Sequence, residues 1–286
     1  MKTFIISDIG GKDKSIIPFG LHMGKHNETD VMIHHIIDPR MHQGTTTPYA
    51  DSQSITPGRK LSHEEIFERE KNYAKKQLDK LLSAEASRLD YPLKYDTSVE
   101  VESVNLRLQK ILSEDKEDLC VASMVPDNSM ISDLAELLEI IGKVELPFLL
   151  VPPGYDFREP AEIALITDYS EESCEPVKRA LAWFDAFPIA IKAFDIAADS
   201  QMKTKENQRE LWEHEVNSFT TASMMLDTKI LLGKKSKDNI MAQIRKSTAT
   251  LAMFPRDLFK AQGIQLKKSA DRKKFLNAPG MPVIIY

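Results

Sequence analysis

The chain has 286 residues, 42% of them hydrophobic and 28% charged, with a formal net charge of -5 and two cysteines. That composition fits a folded globular protein of two cores. It gives no general attraction to nucleic acid or anionic lipid, and it excludes a disulfide framework. No run approaches the roughly 20 apolar residues of a membrane span, and the apolar run before Asp8 is shorter than a signal-peptide core, so the expected location is cytoplasmic.

Residues 3–8, TFIISD, read as a short buried strand ending in Asp8, and residues 13–26 as a helix whose Pro18 is tolerated only in the first turn. VMIHHIID over 31–38 is a second buried strand, followed by a Gly-, Thr-, Ser- and Pro-rich surface loop over 39–60. Ser62 and Glu65 form a capping-box pattern, after which Phe67, Ala74, Leu78, Leu81, Leu82 and Leu89 recur at helical spacing. The intervening charges, EEIFEREK, read as the solvated face of that helix. A strand over 95–102, a helix over 106–112, a strand over 118–124, a helix over 131–144 and a strand over 146–151 complete a first unit.

After a proline-containing linker the order repeats: strand 163–168, IALITD, helix 171–187, strand 189–196 and a long helix 205–225 with Trp212 on its core side. Strand 228–232, helix 239–245, strand 250–254, a weakly patterned helix over 268–276 and the final strand 281–286 follow. Alternating strands and helices predict parallel sheets with helices on both faces and right-handed crossovers. The expected fold is therefore α/β, two tandem Rossmann-like doubly wound domains over 1–153 and 160–286, forming a pseudo-dimer within the chain and leaving a further homodimer open.

Asp8 and Asp168 ending the first strands, His35-Ile36-Ile37-Asp38, Asp118-Leu119-Cys120-Val121-Ala122-Ser123, and Ala278-Pro279-Gly280-Met281-Pro282-Val283-Ile284-Ile285 together resemble the universal stress protein family. The resemblance covers nearly the whole chain, implies the adenine nucleotide alpha hydrolase-like version of this fold, and implies a stress-response role. Nucleotide-binding members carry G-x-x-G, nine residues, then glycine and Ser or Thr, because glycines let backbone amides approach phosphates at a helix start. Here Ser123 and Pro126, with Ala135-Glu136-Leu137 beyond them, replace that pattern in the first half, and Phe254 and Asp257 replace it in the second. Lys267-Lys268-Ser269 lies near the glycine-serine position.

The residues that the resemblance offers to a nucleotide, ATP or AMP, are Asp8, Asp168 and Ser269, with Asp168 suited to a ribose hydroxyl. Their alternative role is helix capping or loop structure. His22, His26, His34, His35 and His42 are five of seven histidines in one span. His22 and His26 have a spacing that can share a metal, but the ligand set is incomplete and structural histidines suffice, so no metal is expected. His22-Met23-Gly24-Lys25 resembles the nucleotidylyltransferase H-x-G-H motif with its last histidine displaced. With no Walker loop, G-x-S-x-G or H-E-x-x-H, no catalytic residue is assigned. The expectation is a non-enzymatic protein that binds an unknown protein partner, without family-type ATP binding; a nucleotide switch or weak nucleotide-dependent enzyme in the second half is the alternative.

Overall fold

The computed structural model describes residues 1–7, 16–39, 62–89, 92, 94–111, 115, 117–124, 141–152, 154–259 and 280–286. The predicted loop over 39–60 beyond its first residue, most of the helix over 131–144 and the helix over 268–276 lie outside these residues, as do Asp8, His42 and Ser269. In chain order the first half contains β1 (Lys2–Ser7), α1 (Ile16–His26), β2 (Asp30–Ile37), α2 (His63–Ala86), β3 (Tyr95–Val101), α3 (Val104–Ile111), β4 (Leu119–Ser123) and β5 (Phe148–Val151). The second contains β6 (Glu162–Ile166), α4 (Cys174–Ala182), β7 (Ile189–Ala197), α5 (Met202–Asn217), β8 (Met224–Leu232), α6 (Lys237–Lys246), β9 (Leu251–Phe254) and β10 (Val283–Ile285).

These strands form one sheet in the order β3-β2-β1-β4-β5-β10-β9-β6-β7-β8. Within each half all pairs are parallel, and both halves show the same order about their first strand. The halves join where β5 meets β10 antiparallel, with Ile284 opposite Leu149. The family resemblance implies a contact through the fifth strands or their neighbours about a pseudo-two-fold axis; here β5 and β10 themselves meet. Alternate strand residues feed two apolar layers, as period-2 geometry requires. Ile5, Ile33, Val121, Leu149, Leu165 and Ile191 meet α1, α2, α4 and α5, whereas Phe4, Ile36, Cys120, Phe148, Ala164 and Phe194 meet α3 and α6. Each layer runs through both halves.

Local chemistry explains the elements. Pro18 falls in the first turn of α1, and Gly20 permits its close approach to β1, since an added Cβ would stand 2.4 Å from Ile5 Cδ1. The predicted capping box of α2 is complete: Ser62 Oγ accepts from Glu65 N at 3.2 Å, and Glu65 Oε2 accepts from Ser62 N at 2.9 Å. Trp212 is core, 2% exposed. The helix expected to 225 ends instead at Asn217, and β8 begins at Met224. Ser218 Oγ and Thr220 Oγ1 donate back to the carbonyls of Glu215 and Asn217, so local hydroxyl bonds compete with further helix, while Met224 pairs with Ile189.

His34 and His35 point to opposite faces of β2. His35 Nδ1 lies 3.1 Å from the Ser7 carbonyl, which it satisfies as donor. His34 is 4% exposed, stacks on Phe4 at 5.9 Å, and neither ring nitrogen has a partner among the described residues. Burial, helped by the Arg107 charge and opposed by Glu100, lowers its pKa to about 4. Below pH 6.5 the unfolded chain therefore takes the proton first, and stability falls as pH drops from 6.5 towards 4. The loss is about 2 kcal/mol by pH 5. Urea unfolding at pH 7.5 and pH 5 should show His34→Phe losing about 2 kcal/mol less than the native chain over that interval; equal losses would contradict it.

Candidate functional site

A cavity of about 660 Å³ opens at the carboxyl ends of β6 and β9, where the strand order of the second half reverses. Open parallel sheets take ligands at this position, because neighbouring loops diverge there to opposite faces. Its walls include Asp168, Ser170 and Ser173 after β6, Arg179 on α4, Lys235 after β8, Pro255, Arg256 and Asp257 after β9, and Tyr286 after β10. The equivalent segments of the first half lie largely outside the described residues.

The loop carrying Asp168 is held rigidly. Tyr169 adopts φ 58°, a left-handed conformation that costs a tyrosine about 1–3 kcal/mol. Its ring is 1% exposed and meets Trp212 edge-on at 5.2 Å. Its hydroxyl accepts from Lys229 N at 3.0 Å, with the Ala193 carbonyl at 2.9 Å to receive its proton. Trp212 Nε1 donates to Ser173 Oγ at 2.9 Å, and Ser173 Oγ donates to the Ser170 carbonyl at 2.7 Å. Burial of the aromatic anchor thus offsets the backbone strain and sets the direction of the preceding carboxylate.

Asp168 Oδ1 accepts from Ser170 N at 3.0 Å, so the residue shapes its own loop as well as lining the cavity. Burial raises its carboxyl, but the Ser170 hydrogen bonds and the charges of Lys205 and Lys235 outweigh this and leave it below the ordinary aspartate value. Both lysines are held from below by Asp195, whose Oδ2 is 3.1 Å from Lys205 Nζ and whose Oδ1 is 2.7 Å from Lys235 Nζ. Lys205 also donates to the Asp168 carbonyl. The result is a fixed alternation of charge, Asp195, two ammonium groups, then Asp168.

On the opposite wall, Arg256 donates to the Val144 carbonyl and, at 2.7 Å, to the Leu146 carbonyl, tying this cavity to the approach to β5 in the first half. Tyr286 Oη donates to the Ile166 carbonyl at 2.6 Å, and burial followed by the Asp168 charge pushes its pKa well above the ordinary value. The turn Arg256–Phe259 uses its own amides: Arg256 N donates to the Tyr286 carbonyl at 2.8 Å and Leu258 N to the Pro255 carbonyl at 3.0 Å. Side chains, not bare glycine amides, face the cavity here.

Of the residues proposed from sequence, Asp168 lines the cavity; Asp8 and Ser269 lie outside the described residues. Asp195, Lys205, Lys235, Arg179 and Arg256 were not singled out from sequence. A carboxylate inside the apolar run IAIKAFDIA was the available signal for Asp195. The paired histidines serve packing: His22 stacks on Phe157 at 4.4 Å and His26 meets Phe187 at 4.7 Å, pinning the connector between halves against α1. Among the described residues no group of three or more His, Cys, Asp and Glu side chains is arranged to hold a metal. No described helix is long and apolar enough to cross a membrane.

This architecture is that of the universal stress proteins. Over 99% of its length the chain is similar to a universal stress protein from Archaeoglobus fulgidus DSM 4304, covering 95% of that chain at 9% identity with a TM-score of 0.59. It is similar over the same share to a functionally unknown protein from Pseudomonas aeruginosa PAO1, covering 91% of that chain at 9% identity with a TM-score of 0.54. No family model and no curated protein matches the sequence. The likeness is one of fold.

Proposed function

We propose that this chain is a cytoplasmic stress-response protein that acts by binding, not by turnover, and that the cavity of its second half takes a small ligand without the glycine-type phosphate cradle. The observation that carries this reading is the wall after β9. Its Arg256 and Leu258 amides are already engaged, Pro255 has none to give, and side chains occupy the approach. The preorganised Asp168 loop supports binding, since its geometry is set before any ligand arrives. The reading assigns no catalytic residue: the Asp168 carboxylate and the Ser170 backbone and hydroxyl that bond to it are taken up in shaping the loop.

A second reading, a nucleotide switch, is favoured by one observation: the cavity-lining Asp168 is held below the ordinary aspartate value, and a carboxylate of that kind can accept from a ribose hydroxyl. Calorimetry with Mg-ATP, ADP and AMP on the full-length chain separates the two. The binding reading expects no preference for the triphosphate and no ATP hydrolysis. At least tenfold tighter binding of Mg-ATP than of AMP, lost in Asp168→Ala, would overturn it in favour of the switch. Turnover abolished by the same substitution would remove the non-enzymatic assignment.

A further inference from the structure

We propose that Arg179 and Arg256 form an oxyanion site in this cavity, at the seam between the halves, that takes a carboxylate or phosphate group of a small ligand. The proposal rests on the reading that the second-half cavity holds a ligand, and it adds the chemistry of that ligand. Arg179 and Arg256 both line the cavity, and each has a buried Nε without a hydrogen-bond partner among the described residues. Arg179 makes no hydrogen bond or ion pair among the described residues. Burial first, then the Arg179 charge, lowers the Arg256 pKa to about 10.

An unpartnered, partly desolvated guanidinium beside a second one is unfavourable unless something negative sits between them. Protein carboxylates do not fill this role. Asp168 is matched by Lys205 and Lys235, and Glu172 is exposed. Glu145 and Asp257 line the same cavity and raise the Arg256 pKa, yet burial and Arg179 prevail. A guanidinium edge suits a carboxylate or phosphate because its N–H groups are parallel and its hydration is weak. Arg256 adds a consequence. Its other donors hold the Val144 and Leu146 carbonyls, so a bound anion would sit on the residue that clasps the first half.

The test is calorimetry of the full-length chain with inorganic phosphate and with succinate, against chloride at equal ionic strength, followed by Arg179→Met and Arg179→Lys. Arg179 is the residue to change because, among the described residues, it bonds to no other element. Saturable binding of phosphate or succinate is expected, weakened at least tenfold in Arg179→Met and less in Arg179→Lys. The tighter anion identifies phosphate or carboxylate as the group taken. Binding no stronger than chloride, or unchanged in Arg179→Met, would overturn the oxyanion site. AMP binding that falls in Asp168→Ala but not in Arg179→Met would remove this inference while leaving ligand binding in the cavity intact.

Discussion

Trp183→Ala should destabilise the whole chain by about 3–5 kcal/mol, with both halves unfolding in one transition. Trp183 is 0% exposed, follows α4, and packs in the apolar layer that runs through both halves. Its indole Nε1 donates to the Glu117 carbonyl at 3.1 Å, immediately before β4, so a second-half side chain satisfies a first-half backbone group. Truncation leaves a cavity of indole size in a close-packed layer and orphans that carbonyl. Trp183→Phe should cost less, retaining most of the buried area but not the hydrogen bond. Urea unfolding followed by far-ultraviolet circular dichroism checks this. A biphasic curve, with the first half surviving, would show that the β5–β10 junction and Arg256 do not couple the halves.

The fold was legible because the chain writes its pattern twice. TFIISD and IALITD, then LPFLLV and MPVIIY, fixed the first and last strands of each half, and the order of the elements between them fixed a parallel sheet. The helix expected over 171–187 ends early, at Ala182, and the largest misplaced boundary, where α5 ends and β8 begins, has a physical cause. Phe219 and Ala222 continue a helical apolar stripe, but Ser218 and Thr220 bond back to preceding carbonyls, and β8 is an edge strand whose outward Met225 is 74% exposed. Propensity and periodicity favoured helix there, and strand pairing overrode them.

The site was less legible because its charges come from separate elements. Asp168 announced itself as a strand-terminal carboxylate. Asp195 did not: by sheet register it lies one step beyond Phe194, which pairs with Ile166, just as His35 lies one step beyond His34, which pairs with Ile6. The repeat therefore pairs an aspartate with a histidine, and comparing halves conceals it. Arg179 and Arg256 are 77 residues apart in sequence and meet only because β6 and β9 are neighbours in the sheet. No local spacing encodes that meeting.

Asp195→Asn should cost about 3 kcal/mol, the low end expected when one partner of a buried ion pair is removed. The carboxylate side chain is 1% exposed, while Lys205 and Lys235 are 22% and 36% exposed, so water recovers part of the penalty on the ammonium side. Asparagine keeps the shape but has one acceptor oxygen, and its amide sets a donor against one of the two ammonium groups. A double-mutant cycle with Lys205→Met should give a coupling above about 1 kcal/mol, because the pair is in contact and shares a network. The same substitution tests whether the cluster serves the cavity. The substitution removes a negative charge beside Lys235, which lines the cavity, so phosphate or succinate affinity should rise while stability falls. A loss below about 1 kcal/mol would contradict a structural role for the carboxylate; full destabilisation with unchanged anion affinity would confine the Asp195 cluster to holding the fold.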